Sequence, residues 1–361
     1  MLNFISKILL FPFALLYGSI IWLRNLLYKR GFLGSTDFEI PVISVGNLAV
    51  GGTGKTPFVE MLIELLYPYY PAGVLSRGYK RKTSGYLNVQ TNNTVLDVGD
   101  EPLQIKLKYP FVPVSVGEQR VFAIPQMMHH FPFLKLLILD DAFQHQSVRP
   151  DINILLTDYH KPFWNDQILP MGTLREFTSG KERANIIVVT KCPPDLGLQE
   201  QIDLRVKIQP SANQKVFFTS IQYFIPYHLF RPDEKLNYNN LSSVILLTGI
   251  ADANPLKGEI SKHVQDIIHF DYADHHQFSV EELEAIKKHY PDNKIWLTTE
   301  KDAVRLLLHK DWFLQNDIDL FCMHIKTRFI GENKDEFKFL LLDFLSFFYK
   351  EEIQNVPEQM D

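Results

Sequence analysis

The 361-residue chain is too long for one ordinary hydrophobic core, and its 46% hydrophobic content is sufficient for two packed domains. Its formal net charge of -5 argues against a nucleic-acid partner, because no excess of basic residues is present to attract phosphate backbones. The two cysteines, Cys192 and Cys322, lie far apart without metal-binding spacing, which argues against a disulfide scaffold and suits a reducing compartment.

Residues 1–30 are predicted to form an apolar helix associated with a membrane. No charged residue stands between Lys7 and Arg24, and further basic residues follow before residue 31. The uncharged run is shorter than the roughly 20 apolar residues of a spanning helix. Basic residues beside an apolar stretch suit the lipid headgroup layer. We therefore expect a peripheral or monotopic anchor, with a helix buried under the rest of the protein as the alternative.

Residues 31–210 are predicted to form the core domain, because short aliphatic runs alternate there with helical patterns. The predicted strands are residues 40–46, 72–78, 112–117, 135–141, 151–158 and 185–191. Continuous aliphatic runs are typical of parallel strands covered on both faces. Their alternation with helices favours a doubly wound α/β fold with a parallel sheet.

The pattern changes after residue 210. Residues 211–240 are aromatic, interrupted by proline and then polar, which indicates a connecting β segment. Residues 241–330 again alternate between strand and helix patterns and are predicted to form a second, smaller α/β domain. Residues 331–361 are predicted to form an apolar helix and a tail that pack back on the core.

A glycine-rich loop follows the first predicted strand of the core and precedes a helical pattern, which is the context that a phosphate-binding loop requires. The loop residues are Gly51, Gly52, Thr53, Gly54, Lys55 and Thr56. Glycines let backbone N–H groups approach phosphate oxygens, Lys55 can bridge the β- and γ-phosphates, and Thr56 can hold Mg²⁺. The fold class is therefore predicted to be P-loop NTPase-like. Because Ala49 stands where the usual pattern has glycine, an ordinary strand–helix turn is the alternative.

Two adjacent carboxylates, Asp140 and Asp141, follow a buried-type strand pattern. A P-loop site needs a metal-binding acid at the end of such a strand. Neighbouring side chains of an extended chain point to opposite sides. One carboxylate is therefore expected to meet Mg²⁺ and the other to serve a different purpose. The sequence leaves open which is which, and a structural pair is the alternative.

Nucleotide binding alone is compatible with several classes of protein. A GTPase needs an Asn/Thr-Lys-x-Asp guanine reader, whereas residues 190–193 are Thr-Lys-Cys-Pro. A partition- or targeting-type membrane ATPase would carry lysine before the paired glycines, where this chain has Val50. Such an ATPase, without a lipid acceptor, remains the alternative function because it would also suit the membrane anchor. A non-catalytic nucleotide-sensing scaffold is a third hypothesis.

Further motifs distinguish among these classes. They are SRGYKRKTSG (76–85), VGDEPLQI (98–105), VGEQRVFAI (116–124), LDDAFQHQSVRPDINILLTD (139–158), LPMGTLREF (169–177), YADHHQF (272–278) and TTEKDAVRL (298–306). Together with the glycine-rich loop, they make the chain resemble the tetraacyldisaccharide 4'-kinase family of lipid A biosynthesis. In that family a small hydroxyl residue is common at the first loop position, so Ala49 is close to the family pattern.

The resemblance implies the reaction and its participants. ATP and Mg²⁺ are implied cofactors, and the acceptor is the 4'-hydroxyl of a tetraacylated glucosamine disaccharide 1-phosphate, with lipid IVA as the product. The implied partners are this lipid disaccharide and a membrane surface. The implied location is the cytoplasmic face of the inner membrane. We expect the protein to be a monomer.

The resemblance also assigns roles to residues. Asp100 matches the acid that activates the acceptor hydroxyl, and His275 matches its partner. Since Asp100 lies in the predicted core and His275 in the second domain, the pair is expected to form only across an interdomain cleft, with domain closure as a gate. A helix N-cap is the alternative role for Asp100. Glu176 is implied in the outer coordination shell of Mg²⁺.

Arginine side chains suit bidentate recognition of phosphate groups. Those expected to bind the 1-phosphate of the lipid or the phosphates of ATP are Arg77, Arg120, Arg149 and Arg175.

Overall fold

The computed structural model describes residues 4–239, 241–331 and 333–354. The helices are α1 Phe4–Lys29, α2 Lys55–Leu66, α3 Val95–Val98, α4 Asp100–Lys108, α5 Arg120–His130, α6 Leu198–Ile208, α7 Asn254–Ile260, α8 Val280–His289, α9 Glu300–Leu306, α10 Lys310–Gln315 and α11 Asn333–Gln354. Short 3-10 helices span Phe163–Asn165, Thr178–Arg183 and Leu307–His309.

The strands are β1 Val42–Asn47, β2 Ala72–Ser76, β3 Leu87–Asn88, β4 Val114–Val116, β5 Leu136–Asp140, β6 Ile152–Asp158, β7 Ile186–Thr190, β8 Lys215–Tyr223, β9 Tyr227–His228, β10 Arg231–Lys235, β11 Ser243–Thr248, β12 Asp266–Asp271, β13 Ile295–Thr299, β14 Asp319–Met323 and β15 Ile325–Phe329. Each strand predicted for the core domain is present, with boundaries shifted by a few residues.

The chain divides into two compact units, and each unit combines distant segments of the sequence. Unit 1 contains Met1–Arg77, Gln119–Ile221 and Thr327–Asp361, and unit 2 contains Gly78–Glu118 and Gln222–Lys326. This division differs from the predicted core of residues 31–210, because residues 78–118 group with residues 222–326. The physical reason is that α4 packs on α9, a contact between helices about 200 residues apart that sequence order does not reveal.

Unit 1 has a doubly wound parallel sheet with β1 near its centre. Its strands run in the order β15-β8-β7-β6-β1-β5-β2. Strand β1 pairs in parallel with β5 on one side and β6 on the other. Every residue of β1, β2, β5, β6 and β7 is buried, which is why these strands read as continuous aliphatic runs. The predicted α/β fold class is confirmed.

Gly46 in β1 brings the chain after β5 close to the glycine-rich loop. A Cβ atom at this position would lie 2.7 Å from the Cβ of Phe143 and 2.8 Å from its backbone nitrogen. Real side chains do not tolerate such distances, so the contact requires glycine. The close approach places the residues after Asp140 and Asp141 directly beside the strand that leads into the loop.

Unit 2 contains a second, mixed sheet in the order β10-β9-β14-β13-β11-β12. Strands β11, β12, β13 and β14 pair in parallel, whereas β9 pairs antiparallel with β14 and β10. Trp296, Phe313 and Leu283 lie in the core against this sheet and are fully buried. Separately, β3 and β4 form a short antiparallel pair.

The terminal helices belong to unit 1. In α11, Phe337, Leu341 and Leu345 recur at every fourth residue and are fully buried, and the Phe337 ring contacts that of Phe58 in α2. In α1, Ile8–Lys29 is long and apolar enough to cross a membrane, with a mean hydropathy of 1.5, and only 11% of it is buried. By length and composition α1 therefore satisfies the requirement for spanning, which the uncharged run alone did not.

Candidate active site

The loop between β1 and α2 has the backbone geometry of an anion-binding turn. Gly51 and Gly54 have positive φ angles of 113° and 78°, a region that favours glycine. Gly54 is the N-cap residue of α2. Because glycine has no side chain to compete for them, the first backbone N–H groups of α2 can donate to an anion, and the helix dipole favours negative charge there.

Asp141 lies between two cationic side chains of this site. Its Oδ1 atom is 3.4 Å from Lys55 Nζ and accepts a hydrogen bond from Arg175 Nη1 at 3.1 Å. Burial works to raise the pKa of Asp141, but the charges of Lys55 and Arg175 outweigh burial and hold that pKa below its usual value. Lys55 Nζ also lies 3.5 Å from Asn47 Oδ1 at the end of β1. The lysine is thus held at the loop by an ionised carboxylate.

The carboxylates of Asp140 and Asp141 have different partners, as expected, although Asp141 lies beyond the end of β5 and is not an extended strand residue. Asp140 is almost fully buried, and its Oδ2 atom accepts a hydrogen bond from Ser76 Oγ at 3.0 Å. The Asp140 backbone carbonyl accepts from Arg120 Nη2 at 3.1 Å. Asp141 has a left-handed φ of 47°, which turns its carboxylate toward the loop.

The oxygen atoms of Thr56, Asp140 and Asp141 fit Mg²⁺ better than a transition metal. Among the described residues, no group of three or more His, Cys, Asp or Glu side chains could hold a metal ion. Mg²⁺ prefers oxygen ligands and is usually held by one or two carboxylates together with substrate phosphates and waters. Two carboxylates and a hydroxyl are therefore a suitable set for a metal shared with phosphate groups.

Glu176 is buried, and both of its carboxylate oxygens already accept hydrogen bonds from side chains. Asn25 Nδ2 donates to Oε2 at 2.9 Å. Gln144 Nε2 and Arg183 Nη2 donate to Oε1 at 3.0 and 2.8 Å. These donors come from three separate segments of unit 1. The role predicted for Glu176 in the outer coordination shell of Mg²⁺ remains a prediction, and its contacts show a carboxylate that joins segments.

The four predicted phosphate-binding arginines lie in different surroundings. Arg175 contacts Asp141 at the loop, and Arg120 is buried beside Asp140. Arg77 is exposed at the end of β2. Arg149 is also exposed and forms an ion pair with Asp37 at 3.3 Å. Arg175 and Arg120 therefore lie beside the predicted site acids, whereas Arg149 contacts a carboxylate at the surface.

His145 follows the acid pair and is partly buried in a basic environment. Burial, together with the charges of Arg120 and Arg77, lowers the pKa of His145 to about 4. The imidazole is therefore neutral near pH 7.

Asp100 and His275 form a hydrogen-bonded pair within unit 2. His275 Nδ1 lies 2.9 Å from Asp100 Oδ2, and both side chains are largely buried. Because both residues belong to unit 2, the expectation that they pair only across an interdomain cleft is wrong. Gly99, not Asp100, is the N-cap residue of α4, so the alternative N-cap role of Asp100 is also wrong.

Lys301 favours one tautomer of the His275 ring. Lys301 Nζ lies 3.1 Å from His275 Nε2 and 3.1 Å from Asp274 Oδ1. A lysine ammonium can only donate, so this contact favours the tautomer in which Nε2 is the acceptor. In that tautomer Nδ1–H donates a hydrogen bond to Asp100. Arg305 Nε, 3.4 Å from Asp100 Oδ2, adds a second positive neighbour to the carboxylate.

Several of these contacts were not predicted from the sequence. Lys191 Nζ donates to the Gly52 carbonyl of the loop and forms an ion pair with Asp158 at 2.8 Å. Asn25, a partner of Glu176, was also missed, since it is a polar residue without distinctive spacing. Ser76, the partner of Asp140, was not assigned either, although it is the first residue of the SRGYKRKTSG motif. Lys301 and Arg305 stand in the TTEKDAVRL motif, which could have drawn attention to them.

Comparisons with known proteins point to one family, and the matches cover almost the whole chain. The family model for tetraacyldisaccharide-1-P 4'-kinase matches residues 6–346. A tetraacyldisaccharide 4'-kinase of Flavobacterium johnsoniae is 43% identical over 336 residues, which are 92% of this chain and 96% of that protein. One of Phocaeicola vulgatus is 39% identical over 350 residues, covering 93% of this chain and 94% of that protein.

A solved structure shares the fold. The crystal structure described as the "apo" form of LpxK from Aquifex aeolicus in complex with ATP has a TM-score of 0.72 and 28% sequence identity. The match covers 94% of this chain and 99% of that chain.

The low pKa of His145 predicts a loss of stability in mild acid. An unfolded chain takes up a proton at this histidine near pH 6.5, whereas the folded chain does so only near pH 4. The stability that the neutral ring contributes is therefore full above pH ~6.5 and decreases as the pH falls toward 4. We expect His145→Gln to reduce the difference in unfolding free energy between pH 7 and pH 4.5 by on the order of 2 kcal/mol.

Urea unfolding at both pH values, followed by circular dichroism, measures this difference. His160→Gln is the matched control, because His160 is exposed, and it should keep the pH dependence of the unaltered chain. An equal loss in the His145 variant and the unaltered chain would contradict the assignment.

Proposed function

The chain belongs to the tetraacyldisaccharide 4'-kinase family, and from this premise we propose how its residues carry out the reaction. The protein is a lipid kinase that uses ATP and Mg²⁺ to phosphorylate the 4'-hydroxyl of a tetraacylated glucosamine disaccharide 1-phosphate in lipid A biosynthesis, giving lipid IVA. The alternative of a partition-type ATPase has no support in the comparisons.

We propose that the phosphates of ATP lie along the loop Gly51–Thr56, facing the first N–H groups of α2. The position of Lys55 at the loop, held by Asp141 at 3.4 Å, is the observation that carries this proposal. Lys55 then exchanges its carboxylate partner for the β- and γ-phosphates and neutralises their charge. Arg175, bonded to the other side of Asp141, adds a second cation. ATP in the similar LpxK structure supports this assignment.

Thr56, Asp140 and Asp141 would hold Mg²⁺, which neutralises phosphate charge when it is bound. Asp141 contacts Lys55 and Arg175 on the loop side, whereas the Asp140 carboxylate accepts from Ser76. We propose that Asp141 is the acid nearer the nucleotide. Glu176 then acts indirectly, through the side chains that it orients.

We propose that Asp100 accepts the proton of the 4'-hydroxyl while the new oxygen–phosphorus bond forms and the bond between the γ-phosphorus and the bridging oxygen of ADP breaks. The Nδ1–H group of His275 holds the carboxylate at 2.9 Å, and general bases of this kind contribute about 10²–10⁴-fold to a rate. Lys301 acts as a positioning residue, since its ammonium group keeps the proton of His275 on Nδ1.

The 1-phosphate of the lipid needs cationic partners apart from the nucleotide site. Arg77 and Arg149, which are exposed, remain our candidates for this group. Arg175 and the buried Arg120, which contacts Asp140, are assigned to the nucleotide side. Arg149 is exposed, with 68% of its side chain accessible, and its partner Asp37 is exposed as well. Such surface ion pairs contribute little free energy, so Arg149 can exchange this partner for a phosphate.

We propose that the protein works as a monomer at the cytoplasmic face of the inner membrane, with α1 in contact with lipid. A four-chain lipid does not leave a bilayer readily, because each buried methylene contributes about 0.8 kcal/mol. Large apolar side chains of α1, among them Leu9, Phe13, Leu16 and Ile20, are more than half exposed. ATP is on the cytoplasmic side, which supports this face.

Replacing Lys55 should abolish phosphoryl transfer without unfolding the chain. We expect Lys55→Ala to lower kcat by about 10³-fold or more, since a charge that acts on the phosphates is removed. The assay follows label from γ-labelled ATP into the disaccharide lipid. Lys288→Ala, at an exposed position of α8, is the control and should retain full activity. Near-normal transfer by Lys55→Ala would contradict the role of Lys55. With the unaltered chain, label only in free phosphate would favour the partition-type ATPase, and no turnover would favour a nucleotide-sensing scaffold.

Replacing Lys301 or Asp100 should lower kcat far more than it raises KM for ATP. We expect a decrease of about 10²–10⁴-fold for Asp100→Asn, which loses the proton acceptor. For Lys301→Met we expect about tenfold, with partial recovery in Lys301→Arg, which keeps a cationic donor. Steady-state kinetics against ATP and lipid separate the two constants. An increase confined to KM would contradict the proposed roles.

Charged residues on the exposed side of α1 should weaken membrane attachment. We expect the double change Leu16→Glu and Ile20→Glu to reduce binding to anionic phospholipid vesicles by about tenfold or more, because a carboxylate is costly in an apolar layer. Vesicle flotation measures the bound fraction. Ala285→Glu, at an exposed position of α8, is the control. Unchanged attachment of the double variant would show that the anchor lies elsewhere.

A further inference from the structure

Helix α1 has a second face, which is turned toward the rest of unit 1. Ala14 and Gly18 are buried, and Tyr17 and Asn25 are partly buried. The spacing of these four residues by three, four and seven positions places them along one side of a helix. This side differs chemically from the exposed apolar side, because it carries a hydroxyl and an amide.

This docked face contacts three consecutive residues. The Tyr17 hydroxyl donates to the Arg175 carbonyl at 2.8 Å, and Asn25 Nδ2 donates to Glu176 Oε2 at 2.9 Å. A Cβ atom at Gly18 would lie 2.8 Å from Cζ of Phe177, so the helix passes directly over that ring. Burial raises the pKa of the Tyr17 phenol, which therefore remains a donor.

The same segment reaches the nucleotide loop from its other side. The Arg175 backbone N–H donates to the Leu48 carbonyl at 2.7 Å, and the Arg175 guanidinium binds Asp141. Glu176 accepts from Gln144 Nε2, which also donates to the Asn47 carbonyl at 2.7 Å. Arg175 therefore connects Tyr17 of α1 with Asp141, the acid that contacts Lys55.

A further contact strengthens the connection between α1 and the chain after Asp141. Arg24 Nη2 donates to the Gln144 carbonyl at 2.6 Å, and Gln146 Nε2 donates to Asn25 Oδ1 at 2.7 Å. Asn25 thus donates a hydrogen bond to Glu176 and accepts one from Gln146, which follows the acid pair in the chain. Glu176 is only 1% exposed, so losing the Asn25 donor would leave a buried carboxylate oxygen with reduced solvation.

We propose that α1 is a positioning element of the nucleotide site, acting through Tyr17 and Asn25, in addition to its proposed contact with lipid. This inference rests on the proposed binding of ATP at the loop. The docked helix fixes Arg175 and Glu176, which in turn fix Asp141 and the end of β1. Nucleotide affinity therefore depends on the docking of α1, and by thermodynamic linkage a bound nucleotide stabilises the docked helix by the same factor.

The test measures binding of a non-hydrolysable ATP analogue with Mg²⁺ to the full chain in detergent micelles, by isothermal titration calorimetry without the lipid substrate. We expect Asn25→Asp to weaken binding about tenfold, since it removes a donor and places a second carboxylate beside Glu176. We expect about threefold for Tyr17→Phe, which loses one hydrogen bond. Ser19→Ala is the matched control, because it removes an exposed hydroxyl of the same helix, and it should bind normally.

A charge exchange distinguishes positioning from a general loss of structure. Combining Asn25→Asp with Glu176→Gln restores a donor–acceptor pair in the opposite direction, and we expect most of the affinity to return. If Asn25→Asp does not fold, the affinity of Tyr17→Phe for the ATP analogue tests the inference instead. Unchanged affinity in Tyr17→Phe and Asn25→Asp, or failure of the double variant to recover, would overturn the inference. Absence of binding to the unaltered chain would instead overturn the proposed nucleotide site.

Discussion

The ionised carboxylate of Asp141 is the constraint on which the proposed nucleotide site depends. Two cations, Lys55 and Arg175, and the positive end of α2 converge at the loop and would repel one another without a negative group between them. The phosphate groups of a nucleotide would bring negative charge, like that of Asp141, to the position beside Lys55 and Arg175. The loop is therefore assembled around a negative charge before any ligand arrives, and little reorganisation is needed on binding.

The parts of the structure that depend on local sequence could be predicted. Buried parallel strands leave continuous aliphatic runs, so the sheet of unit 1 was predictable without knowledge of its strand order. The glycine pattern before Lys55 indicated the loop, because positive φ angles such as that of Gly54 are a property of single residues. The divergence of Asp140 and Asp141 was predicted from the period of a strand, whereas in the structure Asp141 follows the end of β5 and has a left-handed φ of 47°.

The parts that depend on contacts distant in sequence could not be predicted. Glu176 was assigned toward Mg²⁺, yet its donors Asn25, Gln144 and Arg183 come from segments that only the folded chain brings together. Likewise, Asp100 was assigned to the first domain because it stands early in the chain, whereas packing of α4 on α9 places it in unit 2. Neither contact leaves a periodic signal in the sequence.

Gly46 is required for a steric reason, although it lies close to residues that are proposed to act chemically. Any larger residue would collide with Phe143, so lack of space alone requires glycine at this position. Loss of activity on substitution at Gly46 would therefore report a steric disturbance and not the removal of a group that contacts a ligand. The small size of Gly46 keeps the chain after β5, with Asp140 and Asp141, close to the strand that leads into the glycine-rich loop.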